Sequence, residues 1–180
     1  MSSTLTSEDE VVTSPAARKV LAVARLTTGF IFLWAFLDKA FGLGYSTPSA
    51  KAWIHGGKPS QGFLGHLDAA KPFTGFFSSI ASTATDWLFM LGMLGVGLAV
   101  MLGIGTRVAA VSGSIIMALM WLAEFPPING ESAGTNPLID YHVAYALIII
   151  LVALTYAGDT WGLGKWWKSL DIVKKNPWLI

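Results

Sequence analysis

The groups able to do chemistry in this chain stand at the ends of long apolar runs: Arg25, the adjacent pair Asp38 and Lys39, Glu124, and Asp140 followed closely by His142. An ammonium can hold an anion, a carboxylate or imidazole can carry protons, and indole or phenol rings such as Trp34, Trp121 and Tyr145 can flank a flat ligand. Ionisable side chains in or beside a membrane-length run are expensive, so each is expected to have a partner or a task.

Arg25 and Asp38 lie 13 residues apart, roughly 20 Å along a helix, which is too far to pair. The same count sets them about 140° apart around the helix, while Lys39 falls within about 40° of the Arg25 face. Asp38 and Lys39 therefore point to different neighbours. Arg25 is about one turn inside its end. It is expected to snorkel toward headgroups, with a buried pairing or an anion contact as the alternatives. Glu124 ends its run just before Phe125, Pro126 and Pro127. A carboxylate is mildly unfavourable at a helix C-terminus, so Lys39 or His142 is its expected partner. Asp140 can cap the helix that follows, and His142 reads either as a satisfied interfacial residue or as a proton carrier. The histidines show no His-x-x-His or Glu-x-x-His metal spacing and no inward pair for a haem. No flavin or dinucleotide fingerprint, phosphate loop or nucleophile elbow occurs.

The elements that must position these groups are membrane spans. Of 180 residues, 53% are hydrophobic and 13% charged, and the mean hydropathy is +0.57. That is the composition of an integral membrane protein. A net charge of +1 offers nothing to nucleic acid, and the absence of cysteine excludes disulfides, thiolate nucleophiles and iron–sulfur ligation. Residues 1–17 read as a disordered tail, residues 18–160 as a four-helix transmembrane domain, and residues 161–180 as a Trp- and Lys-rich interfacial segment. Spans are expected near 20–41, 87–104, 107–125 and 141–157. A short interfacial helix is expected between Pro72 and Asp86, and turn chemistry over 126–140. Small residues at helical spacing, Gly95, Ala99 and Gly103 on one span and Ala109 and Gly113 on the next, predict close helix packing.

Orientation follows from Lys and Arg near the span ends. Arg18, Lys19, Arg107, Lys165, Lys168, Lys174 and Lys175 stand on the side of the termini, against Lys51, Lys58 and Lys71 opposite. Both termini are thus expected in the cytoplasm of a multi-pass cell-membrane protein. Asp38, Lys39, the long loop after it, Glu124 and Asp140–Tyr145 then share the outer face.

Four stretches carry a resemblance: RLTTGFIFLWAFLDKAFGLGYSTPSAKAWIHGGKPSQGFLG (25–65), GIGTRVAAVSG (103–113), NPLIDYHVAYAL (136–147) and GDTWGLGKWW (158–167). Together they resemble the DoxX/DoxD family of small four-helix membrane proteins. What the resemblance implies is the membrane subunit of a thiosulfate:quinone oxidoreductase, with quinone as acceptor and a second protein subunit absent from this chain. On that reading Lys39 holds the anion, and Glu124 or His142 handles protons. Asp38, Asp140, Arg25, Trp34, Trp121 and Tyr145 then complete a quinone or substrate site. The competing expectation is a non-catalytic accessory subunit of a respiratory or oxidative-stress complex. A transporter is disfavoured, since the spans show no clear inverted repeat.

Overall fold

The computed structural model describes residues 5–125 and 138–180, and every regular element among them is helical. In chain order these are α1 (Glu8–Val11), α2 (Pro15–Phe41), α3 (Pro59–Leu64), α4 (Thr74–Ile80), α5 (Thr83–Leu102), α6 (Thr106–Glu124), α7 (Tyr141–Leu154), α8 (Gly164–Ser169) and α9 (Asp171–Lys175). Helices α2, α5 and α6 are long and apolar enough to cross a membrane. They leave residues such as Leu88, Val111 and Ile115 exposed, which is the lipid-contacting surface of a membrane-embedded protein. Where the fourth span was expected stands α7, which is apolar but only 14 residues long and not among the helices of membrane-crossing length. At 1.5 Å per residue it covers about 21 Å. The turn chemistry expected over 126–140 falls, as far as residue 137, outside the described residues.

Two boundaries differ from the hydropathy reading, for the same reason. Helix α2 starts at Pro15 because Ser14 caps it, accepting from the Ala17 N–H at 3.3 Å, with proline at the first helical position. Helix α5 starts at Thr83 because Ser82 and Thr85 form a capping box. Apolar content marks where lipid begins, whereas capping marks where the helix begins. The tail read as disordered also contains a turn of helix, α1, whose Glu8 is buried. The interfacial helix expected after Pro72 is found as α4.

Helix α2 packs along α5 and α7 along α6, with α5 and α6 joined as a hairpin through Gly103, Ile104 and Gly105. Gly97 of α5 faces Leu33 of α2 while Gly29 of α2 faces Met101, so the two helices run antiparallel. A Cβ on Gly97 would lie 2.7 Å from the Leu33 backbone nitrogen. The small residue is therefore what allows this approach, in a setting where helix association depends on packing. The expected stripe through Gly95 is displaced around the helix, since Gly95 faces open space. The buried face of α5 runs through Met93, Val96, Gly97 and Val100, and it meets Phe32 of α2 and Ile149 of α7 in the core. Gly113 of α6 does pack as expected, against Ile149 and Val96.

Candidate functional site

Arg25 is fully buried and does not snorkel. Its five N–H groups all donate to backbone carbonyls: Nε to Ala157 at 3.0 Å, Nη1 to Val100 at 2.8 Å and to Met101, and Nη2 to Thr160 at 3.3 Å and Trp161 at 2.9 Å. Val100 and Met101 lie in the last turn of α5, and Ala157 follows α7, so one guanidinium gathers carbonyls from two helix C-termini, the Val100 carbonyl also accepting from the Gly103 N–H at 3.2 Å. Around it Gly103 and Gly158 cross in close contact, and Tyr156 and Trp161 adopt left-handed φ of 54°. The chain after this node folds back on the helices. Lys168 bonds Asp159 at 2.6 Å and the Thr6 carbonyl at 2.9 Å, and the Asp159 carboxylate also accepts from the Glu8 N–H at 3.0 Å. Burial, with Asp159 adding like charge, pushes the Glu8 carboxyl above its usual range. The Trp/Lys segment is therefore split in role. Trp161, Trp166 and Trp178 are exposed as an interfacial belt requires, whereas Lys168 is buried and Trp167 donates to the Leu179 carbonyl.

At the opposite end, two aspartates pin the long loop. Asp38 accepts from the Tyr45 N–H at 3.1 Å, the Ser46 N–H at 2.9 Å and the Ser46 hydroxyl at 2.6 Å. Asp86, in the first turn of α5, accepts from the Ser60 N–H at 2.8 Å, the Ser60 hydroxyl at 2.7 Å and the Gln61 N–H at 3.1 Å. Trp53 packs edge-on to Trp87 with centroids 4.6 Å apart. The sequence reading used Asp86 only as a boundary. The available signal was a carboxylate just inside a capping box. Removing it in Asp86→Ala takes away the acceptor of two amides, and hydrogen bonds to charged groups are worth about 1.5–3 kcal/mol. The Ser60 and Gln61 amides should then exchange with deuterium about 10- to 100-fold faster, with the amides of α6 unchanged. Unaltered protection of residues 60 and 61 would refute the pin.

Beneath this roof a cleft of about 1120 Å³ is lined by the loop, α5 and α6. Its lining is apolar along α5 and α6, with Leu88, Phe89, Ile115, Ile116, Leu119 and Met120, and includes Lys39 at the end of α2 and Lys51, His55, Lys58 and His66 from the loop. The Lys39 ammonium donates to Ser46 at 3.2 Å. Contrary to the expectation of separate neighbours, Asp38 and Lys39 meet on Ser46, the carboxylate accepting from its N–H and hydroxyl and the ammonium donating to the hydroxyl oxygen, while Lys39 also lines the cleft. The volume exceeds the roughly 300–1,000 Å³ usual for small-molecule sites, and an apolar lining that includes three lysines suits an amphiphile with a polar or anionic head.

A second group gathers beside the cleft. One ligand atom from each of Glu124, Asp140 and His142 lies within 4.8 Å of the other two. Asp140 caps α7, accepting from the His142 N–H at 2.9 Å, and its other oxygen meets His142 Nδ1 at 2.9 Å. His142 is thus found next to Glu124, one of the two expected partners, while Lys39 reaches Ser46 and the cleft instead. The aromatic residues disperse. Trp34 packs on Tyr45 at 5.1 Å, Trp121 donates to the Leu138 carbonyl at 2.9 Å, and Tyr145 packs on the core and on Tyr141. Of the nominated residues, Lys39 alone lines the cleft among the described residues. No family model, curated protein or solved structure matches this chain.

Proposed function

We propose that the chain is the membrane subunit of a quinone-linked oxidoreductase, as its resemblance to the DoxX/DoxD family implies. The cleft takes the quinone, and the donor is thiosulfate or a similar small anion at the outer face. On this reading α7 with the residues after it completes a fourth span of a cell-membrane protein, both termini lie in the cytoplasm, and a second subunit joins the chain. The observation that carries the proposal is the shape of the cleft. Its apolar walls fit an isoprenoid tail, and Lys39 stands where a quinone oxygen or a bound anion would need a donor. Glu124 and His142 belong to the neighbouring cluster, so the proposal asks of the cleft wall only what Lys39 supplies.

The test is quinone binding and thiosulfate-dependent quinone reduction by the purified protein. Lys39→Ala should weaken quinone-analogue binding about 10- to 100-fold, the loss of one charge-assisted hydrogen bond. Equal binding by wild type and variant overturns the assignment of Lys39, and no binding by wild type overturns the quinone reading. The second reading, an accessory subunit, is favoured by the absence of cysteine, which leaves the chain no thiol relay of its own. Quinone binding without turnover until a partner from native membranes is added would support the two-subunit form.

A further inference from the structure

We infer that the cleft also binds an anionic phospholipid, its phosphate held by Lys51 and Lys58 of the loop and one acyl chain laid along α5 and α6. The site is the cleft given above to quinone, and the inference rests on that reading only in making quinone the competitor.

The lining carries three lysines and two histidines and, among the described residues, no carboxylate. Asp38 and Asp86, which anchor the loop, are already engaged by its amides and hydroxyls. Lys51 and Lys58 are exposed and form no ion pair among the described residues. They are also held as neighbours. Lys51 ends the turn Ser49–Lys51, and Lys58 stands just before α3, whose first turn is fixed to Asp86. Gly57, next to Lys58, packs so closely on Lys51 that a Cβ there would overlap the Lys51 carbonyl, and its N–H donates to Ala52 at 3.0 Å. Two ammonium groups gathered on a pinned loop repel each other unless an anion joins them, and a phosphate is the headgroup that basic pockets between membrane helices take.

The apolar part of the cleft has the reach of one leaflet. Its lining follows α6 from Ser112 to Ala123, roughly 16 Å at 1.5 Å per residue. That is about half of a hydrocarbon core roughly 30 Å thick. Leu88, Ile115 and Leu119 of this lining are exposed, so an acyl chain of the leaflet beside the loop can lie against them with its head at the lysines. The cleft then has an occupant that quinone displaces on entry.

The experiment is native mass spectrometry of the full chain, stripped of lipid in nonionic detergent and titrated with dioleoylphosphatidylglycerol or dioleoylphosphatidylcholine. One phosphatidylglycerol should bind at least about tenfold more tightly than phosphatidylcholine. Lys51→Gln/Lys58→Gln should weaken phosphatidylglycerol binding about 10- to 30-fold, the effect of two lysines beside a phosphate. Lys174→Gln/Lys175→Gln, at exposed positions of α9, should leave it unchanged. Equal binding of the two lipids, or a loop variant that binds as wild type does, would overturn the inference. Displacement by an equal concentration of glycerol 3-phosphate would overturn it too, by assigning the lysines to a free phosphate. A quinone analogue should displace the lipid, and simultaneous binding of both would place the lipid outside the cleft and refute its assignment there. Wild type that binds no quinone analogue but keeps the lysine-dependent lipid preference would lose the quinone reading and support this one.

Discussion

Arg25→Met is expected to prevent assembly of a stable fold, lowering stability by about 3–5 kcal/mol or more, the scale seen when one partner of a buried charged network is removed. Five carbonyls would lose the guanidinium at once, with the Val100 carbonyl keeping only the Gly103 N–H, and each unmet buried acceptor is itself costly. Methionine fills much of the volume, so the loss reports on hydrogen bonding more than on packing. Arg25→Lys separates charge from geometry, since an ammonium keeps the charge but offers three donors instead of five in a fixed fork. It should fall between wild type and Arg25→Met. Thermal unfolding in detergent and the monodisperse fraction after purification are the readouts. An unfolding midpoint in Arg25→Met equal to that of wild type would show that the node is dispensable.

Gly158→Ala should be the next most damaging single change. A Cβ there would overlap the Gly103 carbonyl oxygen and lie 2.9 Å from the Gly103 Cα. Both are backbone atoms, with no side chain able to turn aside, so the two segments must separate. Overpacking costs about 1–3 kcal/mol where side chains can adjust, and this site lacks that relief. Separation would also pull the Ala157 and Thr160 carbonyls from Arg25. Gly95→Ala is the matching control. Its Cβ meets open space within a helix, so it should be neutral or add up to about 1 kcal/mol of stability. Equal loss in both variants, measured by thermal unfolding, would point to a general intolerance of added volume and not to this crossing.

The long helices were legible because hydropathy measures the solvent they cross, and α2, α5 and α6 are that signal made visible. Their starts were missed because Ser14 and Ser82 cap by hydrogen bonding, which hydropathy ignores. The packing face of α5 was misplaced, since Gly97 lies about 200° around the helix from Gly95. Gly95 and Gly97 have equal claims in the sequence, and only the position of Leu33 decides between them. Asp38 and Lys39 were expected to find separate neighbours because successive residues lie about 100° apart, but the long lysine side chain reaches round to the Ser46 that Asp38 holds. Arg25 was misjudged because its partners are carbonyls, which every sequence possesses and none advertises. The meeting of Glu124 with His142 was partly legible, since both stood near helix ends on one side, but their distance from Lys39 depends on how α7 lies against α6, which periodicity does not encode.

The bonds of Arg25 also bear on the order in which the chain can mature. Two of its N–H groups reach carbonyls about 75 residues later, at Val100 and Met101, and three wait for Ala157, Thr160 and Trp161, more than 130 residues on. During synthesis from the N-terminus, α2 enters the bilayer carrying an arginine whose partners do not yet exist. Until the segment after α7 arrives, that side chain must keep access to headgroups or water, and the helices cannot settle in their final register. The node thus acts as a completion check, closing only when the segment after α7 is in place, and a chain cut short before Ala157 would retain an unsatisfied charge by which cellular quality control could recognise it.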